Sequence, residues 1–230
     1  MPEQVRTLHR FWGGPREMPE EYALFGEQWK DLNPDWTIKM WEEEDIDQFP
    51  HLKSVFDSLY ERDAGRNGIE LYVQMADVMG YAILHAEGGV YVNTDLEPVR
   101  PLPELPNMAW ASYENHTDGR VVNAAIGAPR PRNIFWSRML QKLPGRYFSN
   151  PTAEMVETTG PAFLTDMALA LPDRIHVFPT EVFNFTHWSQ VPLGGDASDF
   201  LERLPEEAIA LHHWGHRKDL RSNTVETATQ

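Results

Sequence analysis

Between residues 69 and 86 the apolar positions Leu71, Met75, Val78, Met79, Ala82, Ile83 and Ala86 recur with the 3.6-residue period of an amphipathic helix. Gly88 and Gly89 follow, and either can supply the left-handed residue that ends such a helix. Residues 90–92, Val-Tyr-Val, predict a short buried strand, and the polar triplet Asn93-Thr94-Asp95 closes it. Residues 5–12 predict a first strand ending at Gly13-Gly14-Pro15, and residues 19–31 a helix with Tyr22, Phe25 and Trp29 on one side. A break at Asn33-Pro34-Asp35 precedes a second strand over 36–41. The acidic run at 42–45 reads as the charged first turn of a helix rather than as a metal site. Pro98, Pro101, Pro103 and Pro106 mark a long connection. Beyond it, 108–112 and 121–128 predict strands, 133–143 and 161–170 helices, and 209–214 a last strand ending near His212-His213. Strands alternating with helices predict an α/β sheet. No repeat or shift in composition divides the chain, so residues 1–217 are expected to form one domain and 218–230 a polar, frayed tail.

The length, 230 residues, is ample for one hydrophobic core. A formal charge of −15 argues against tight binding to a nucleic-acid backbone, which needs clustered Lys and Arg. It still allows a small phosphorylated ligand whose charge a bound cation neutralises. With no cysteine in the chain, disulfide frameworks and thiolate metal sites are excluded. No apolar run approaches membrane-spanning length and the first residues lack a secretory signal, so a soluble, cytoplasmic protein is expected.

Open α/β sheets bind ligands beyond the carboxyl ends of their strands, where both Trp12 and Asp95 fall in this reading. A carboxylate there is a suitable oxygen ligand for Mg²⁺ or Mn²⁺, which often share their shell with substrate phosphates. The competing structural reading is that Asn93-Thr94-Asp95 only caps a turn. Neither a phosphate-binding Gly-rich loop of the G-x-x-x-x-G-K-S type nor a Ser-His-Asp grouping competes for the site.

Several segments resemble, in order, the glycosyltransferases with a DXD sugar-binding motif, and specifically family 32, with its fungal mannosyltransferases and bacterial capsule and lipopolysaccharide enzymes. Residues 8–14 (LHRFWGG) resemble the opening strand of that family, and residues 33–41 its second-strand segment. Ala76-Asp77-Val78-Met79-Gly80-Tyr81 followed by residues 88–95 (GGVYVNTD) is similar to the core signature. Residues 123–128, Thr159-Gly160-Pro161 and 211–214 resemble later landmarks. The resemblance implies a GT-A-type nucleotide-diphospho-sugar transferase fold, a single Rossmann-like domain with a mixed central sheet. It implies a metal-dependent, retaining glycosyltransferase that uses Mn²⁺ (or Mg²⁺), a nucleotide-diphospho-sugar donor and a glycan or other hydroxyl acceptor. Position by position, Trp12 would stack on the base, and Asp95 would ligate the metal bridging the phosphates. His212 would complete the metal shell, with His213 as the alternative, and Asp77 would hold donor-sugar hydroxyls. His216 reads as a surface residue.

The chain departs from the pattern at three places. Asn93 stands where the family has the first Asp of its triplet, so it can hydrogen-bond a ribose or sugar hydroxyl but adds no charge. Gly80 replaces the Arg expected one helical turn after Asp77, which opens room for a larger sugar or calls for another Arg, such as Arg66. Gly215-His216-Arg217 replaces the usual Ser-Trp after the histidine pair. These departures keep two alternatives open: a non-catalytic nucleotide-sugar or glycan binding protein, and a hydrolase of nucleotide sugars. Asp77 lies beside Gln74 and Tyr81 on the less apolar side of its helix, which allows an exposed structural carboxylate. Residues 114–120 and 183–199 are candidate acceptor rims, with Trp188 and Trp214 as candidate sugar-stacking rings.

Overall fold

The computed structural model describes residues 3–63, 69–149, 153–191 and 197–215. The chain runs β1 (Thr7–Phe11), α1 (Glu20–Leu32), β2 (Thr37–Trp41), α2 (Lys53–Asp63), α3 (Ile69–Ala86), β3 (Gly89–Val92), β4 (Leu96–Pro98), β5 (Ala109–Tyr113) and β6 (Val121–Ala128). It continues with α4 (Ile134–Ser149), α5 (Met155–Thr158), α6 (Pro161–Ala170), β7 (Ile175–Phe178), α7 (Thr180–Phe183) and β8 (Ala210–His212). Six strands form a mixed sheet in the order β2-β1-β3-β6-β5-β7. β1 pairs parallel with β2 and β3, β6 runs antiparallel to β3 and β5, and β7 is parallel to β5. Only β6 is reversed, so the carboxyl ends of the other five strands share one edge with the start of β6. That edge gathers Trp12, Asn93-Thr94-Asp95, Glu114 and Asn123.

Alternating side chains send the two faces of the sheet into separate cores. Phe11, Tyr91 and Ile126 pack with α2, α3, α4 and α6 on one face. Leu8, Val90 and Val92 pack with Trp29 of α1, Val182 and Phe183 of α7 and the β8 segment on the other. The result is a three-layer α/β domain. Tyr22, Phe25 and Trp29 are buried on the inner side of α1, as their spacing predicts.

The ends of α3, β6 and α6 match the sequence pattern to the residue. Gly88 and Gly89 both adopt positive φ, 73° and 86°, where a Cβ would strike the Arg130 backbone at 2.7 Å and the Thr7 carbonyl respectively. The acidic run does open a helix, a 3-10 helix over Glu43–Gln48 capped by a reciprocal bond pattern between Glu42 and Asp45. Elsewhere the pattern needs correction. α4 continues past Leu143 to Ser149 with Pro144 inside it, because Leu143 and Tyr147 stay buried on one face and anchor the turn that the proline weakens. Residues 218–230, His216 and Arg66 lie outside the described residues. Among the described residues, no helix is long and apolar enough to cross a membrane.

Candidate active site

β3 delivers its polar triplet to the sheet edge, where the Asn93 N–H donates to the Ala124 carbonyl (2.8 Å). A turn closed by Leu96 N–H to Asn93 O (3.2 Å) then redirects the chain into β4. β4 pairs antiparallel with β8 with Leu96 opposite His212, so strand pairing brings a residue 117 positions later beside Asp95. The Asp95 Oδ1 lies 3.3 Å from the His212 Nε2. Its Oδ2 accepts from the Gly215 N–H (2.7 Å), and its backbone carbonyl from the His213 N–H (3.0 Å). Beneath the turn, the fully buried Arg10 donates from one terminal nitrogen to the carbonyls of Thr94 (2.9 Å) and Tyr22 (2.5 Å). Burial pushes its guanidinium down to about 10, while the charge of Asp95 pulls it upward.

Trp12, just past β1, is half-buried. Its indole N–H donates to the Arg16 carbonyl (2.8 Å), and its ring meets Tyr22 edge-on at 6.3 Å. The Tyr22 hydroxyl in turn occupies the space a side chain at position 215 would need. Trp12, Tyr22, Gly215 and Asp95 therefore form one continuous wall, and Asn93 is half-buried at the same strand end.

Asp77 is not the exposed carboxylate that its helical position allows. It is buried, because the α5–α6 corner packs over that side of α3, and the Tyr81 hydroxyl binds the Thr159 carbonyl there (2.8 Å). One Asp77 oxygen accepts from the Asn123 amide and the other from the Thr159 hydroxyl (2.8 Å). Burial raises its carboxyl to about 7 against the opposing pull of those two hydrogen bonds. Gly80 opens no room for a sugar. A Cβ there would sit 3.0 Å from the Tyr91 ring, which is itself buried. The space of the missing Arg is filled by an aromatic residue of β3.

The donors at Asp95 and His212 fit a divalent cation. Metal–ligand distances of about 2.1 Å place neighbouring octahedral ligands about 3 Å apart, close to the observed 3.3 Å. Among the described residues no group of three or more His, Cys, Asp or Glu is gathered, so a cation held by Asp95 and His212 would need further ligands such as phosphate oxygens and water. His213 points away, binding Glu97 (2.8 Å) and stacking on Phe25 at 5.1 Å. Trp214 is buried against His212, with ring centroids 4.0 Å apart, whereas Trp188 is exposed.

Glu114 and Asn184 fall within the segments 114–120 and 183–199 expected as acceptor rims, whereas Ser112 was not singled out. Ser112, Glu114 and Asn184 are buried at the same edge. Burial raises the Glu114 carboxyl, opposed by Arg120 and by the more remote His187 and His212. A polar residue at the end of an apolar strand was the signal for Glu114. Asn184 lay in a candidate rim, but its contact with His212 had no signal of its own, because a short helix brings it there.

Residues 19–115 match the family described as glycosyltransferase sugar-binding region containing DXD motif. The inositol phosphoceramide mannosyltransferase 3 of Schizosaccharomyces pombe is 26% identical over 91% of this chain and 59% of its own length. The mannosyl phosphorylinositol ceramide synthase SUR1 of Saccharomyces cerevisiae is 24% identical over 65% of this chain and 38% of its own. The chain thus spans less than two thirds of either relative. Among solved structures, the PaToxG glycosyltransferase superposes with a TM-score of 0.60 at 18% identity, covering 74% of this chain and 71% of that one. The UDP-bound glycosyltransferase domain of the YGT toxin gives 0.56 at 11% identity, covering 76% and 79%. The fold is GT-A, and residues 19–115 are similar to the glycosyltransferase sugar-binding region containing a DXD motif.

Proposed function

We propose that the chain transfers a sugar from a nucleotide-diphospho-sugar to an acceptor hydroxyl, with retention at the anomeric carbon and with Mn²⁺ or Mg²⁺ held by Asp95 and His212. The observation that carries this reading is the 3.3 Å approach of Asp95 and His212 at the carboxyl end of β3, beside Trp12. When bound, the cation supplies positive charge against the departing diphosphate. Trp12 stacks on the base, and the Asn93 amide meets a ribose or sugar hydroxyl. Gly215 N–H and the buried Arg10 keep the Asp95 turn in place before substrate arrives, which is the preorganisation on which electrostatic catalysis depends. Asp77 acts at the sugar end together with Asn123 and Thr159. Relatives named for mannosyl transfer to inositol phosphoceramide favour a mannosyl donor and a glycolipid hydroxyl acceptor.

The test is a thermal-shift series with UDP- and GDP-sugars, each with Mn²⁺ and with EDTA, followed by turnover with whichever donor binds. A ligand at a hundred times its Kd stabilises the folded state by about 2.7 kcal/mol. That Mn²⁺-dependent gain and all turnover should vanish in Asp95→Ala. Full metal-dependent turnover in Asp95→Ala would refute the site. A second reading, donor binding without turnover, is favoured by Asn93 and by the Tyr91 ring filling the Arg position. It predicts the same thermal shift with no sugar released from any donor.

A further inference from the structure

His212 is gripped on both ring nitrogens. Nε2 faces Asp95 Oδ1 at 3.3 Å, and Nδ1 lies 3.2 Å from the side-chain oxygen of Asn184. The Asn184 amide nitrogen donates to the Ser112 hydroxyl (2.7 Å), and the amide oxygen faces the imidazole. Ser112, Asn184 and His212 are all buried. Trp214, stacked on the imidazole and fixed by its own indole bond to the Thr186 carbonyl (3.0 Å), closes the ring's flank. An amide oxygen can only accept, so Nδ1 must carry the hydrogen. In neutral imidazole that leaves a lone pair on Nε2, aimed at a carboxylate oxygen that also only accepts. The imidazolium would instead donate from Nε2 to Asp95, so in the neutral form the Nε2 lone pair and the carboxylate oxygen lie side by side, as two ligands of one cation would.

We propose that Asn184, held by Ser112, is a positioning residue that fixes the tautomer and plane of His212 so that its Nε2 is presented to the metal. The inference rests on the metal site proposed above. It gives α7 and β5 a part in metal binding, although neither supplies a ligand. Metal-bound histidines commonly depend on such a partner, and its loss costs about 10–100-fold in metal affinity.

The experiment is Mn²⁺ titration followed by electron paramagnetic resonance, with Mn²⁺ alone and with Mn²⁺ plus UDP or GDP, on the wild type and on Asp95→Ala, Asn184→Ala and Asn184→Asp. Thermal melts without metal serve as folding controls. The expected result is tight Mn²⁺ in the wild type, about 10–100-fold weaker binding in Asn184→Ala, and affinity retained in Asn184→Asp, whose oxygen still accepts from Nδ1–H. Ser112→Ala should fall between the wild type and Asn184→Ala. Wild-type affinity in a folded Asn184→Ala, with Asp95→Ala inactive in binding, would overturn this inference and leave the metal site standing. Absence of binding in the wild type would overturn both.

Discussion

Gly80 shows how one residue can be misjudged from a family pattern. Glycine inside a helix costs about 1 kcal/mol relative to alanine, so its presence in α3 asks for a reason. The reason is contact: the Tyr91 ring sits where a β-carbon would go, with three ring atoms at 3.0–3.3 Å from that point. Tyr91 belongs to a strand paired on both sides and is 1% exposed, so it has little room to withdraw. Overpacking of a filled core typically costs about 1–3 kcal/mol, which outweighs the helical gain. Gly80→Ala is therefore expected to lower stability by about 1 kcal/mol in urea unfolding. In a Tyr91→Leu background the same change should be neutral or stabilising, because the ring is gone. If both backgrounds respond alike, the contact is not what holds the glycine. In the proposed site, the sugar end would lack the guanidinium that the family resemblance implies. Under that proposal the hydrogen-bonded cluster of Asp77, Asn123 and Thr159 would take its place.

Among the elements, the small β4–β8 ladder does most to assemble the site, since Asp95 precedes β4 and His212 ends β8. The segment after β8 returns at once: Trp214 adopts a left-handed φ of 54°, and Gly215 then reaches Asp95 Oδ2. A methyl group at 215 would strike the Tyr22 hydroxyl and come within 3.3 Å of Asp95 Oδ2. Gly215→Ala should thus push the closing segment off both α1 and Asp95. We expect a melting-point loss equivalent to about 1–3 kcal/mol, together with loss of the Mn²⁺-dependent thermal shift. An unchanged melting point with the full Mn²⁺ effect would show that this segment tolerates displacement. The ladder also marks the limit of what the sequence revealed. Helical and strand periodicity exposes α3, β3, β6 and α6, because long runs with one buried face leave a repeating signature. Asp95 was legible as an acidic tip on a buried strand. β4 and α7 are three and four residues long, too short for periodicity to show. Arg10 and Asn184 were opaque for a different reason: their roles come from partners 84 and 28 positions away. Only the folded chain brings those together.

At the scale of the whole molecule, two buried titratable groups beside the sheet set opposing responses to pH. His9 is fully buried. Its Nδ1 accepts from the Trp41 indole (3.1 Å), so its Nε2 hydrogen goes to the Gly88 carbonyl (3.0 Å), and the ring is held neutral. Burial lowers it from 6.5 to about 4, despite the raising effect of Glu87. The unfolded chain therefore takes up a proton there before the folded one does. The His9 contribution is complete above pH 6.5 and is lost as pH falls toward 4, by about 3 kcal/mol in total. Asp77 behaves in the opposite sense. Its carboxyl is raised from 3.8 to about 7, so the folded state favours the protonated form. That contribution is complete below 3.8 and is lost as pH rises toward 7, again by a few kcal/mol. Between pH 4 and 6.5 the two slopes offset one another. Asp77→Asn retains an acceptor for the Asn123 amide, turns its NH2 to donate to the Thr159 hydroxyl, and removes the titration, which should expose the His9 slope. Urea unfolding at pH 4.5 and 6.5 is the direct check. Stability of Asp77→Asn relative to wild type should rise by about 2–3 kcal/mol between those two values. A constant difference between the two proteins would mean that Asp77 is already ionised in the folded chain at pH 4.5. In that case its two hydrogen bonds outweigh burial, and the sugar end of the site carries a full negative charge across the whole range.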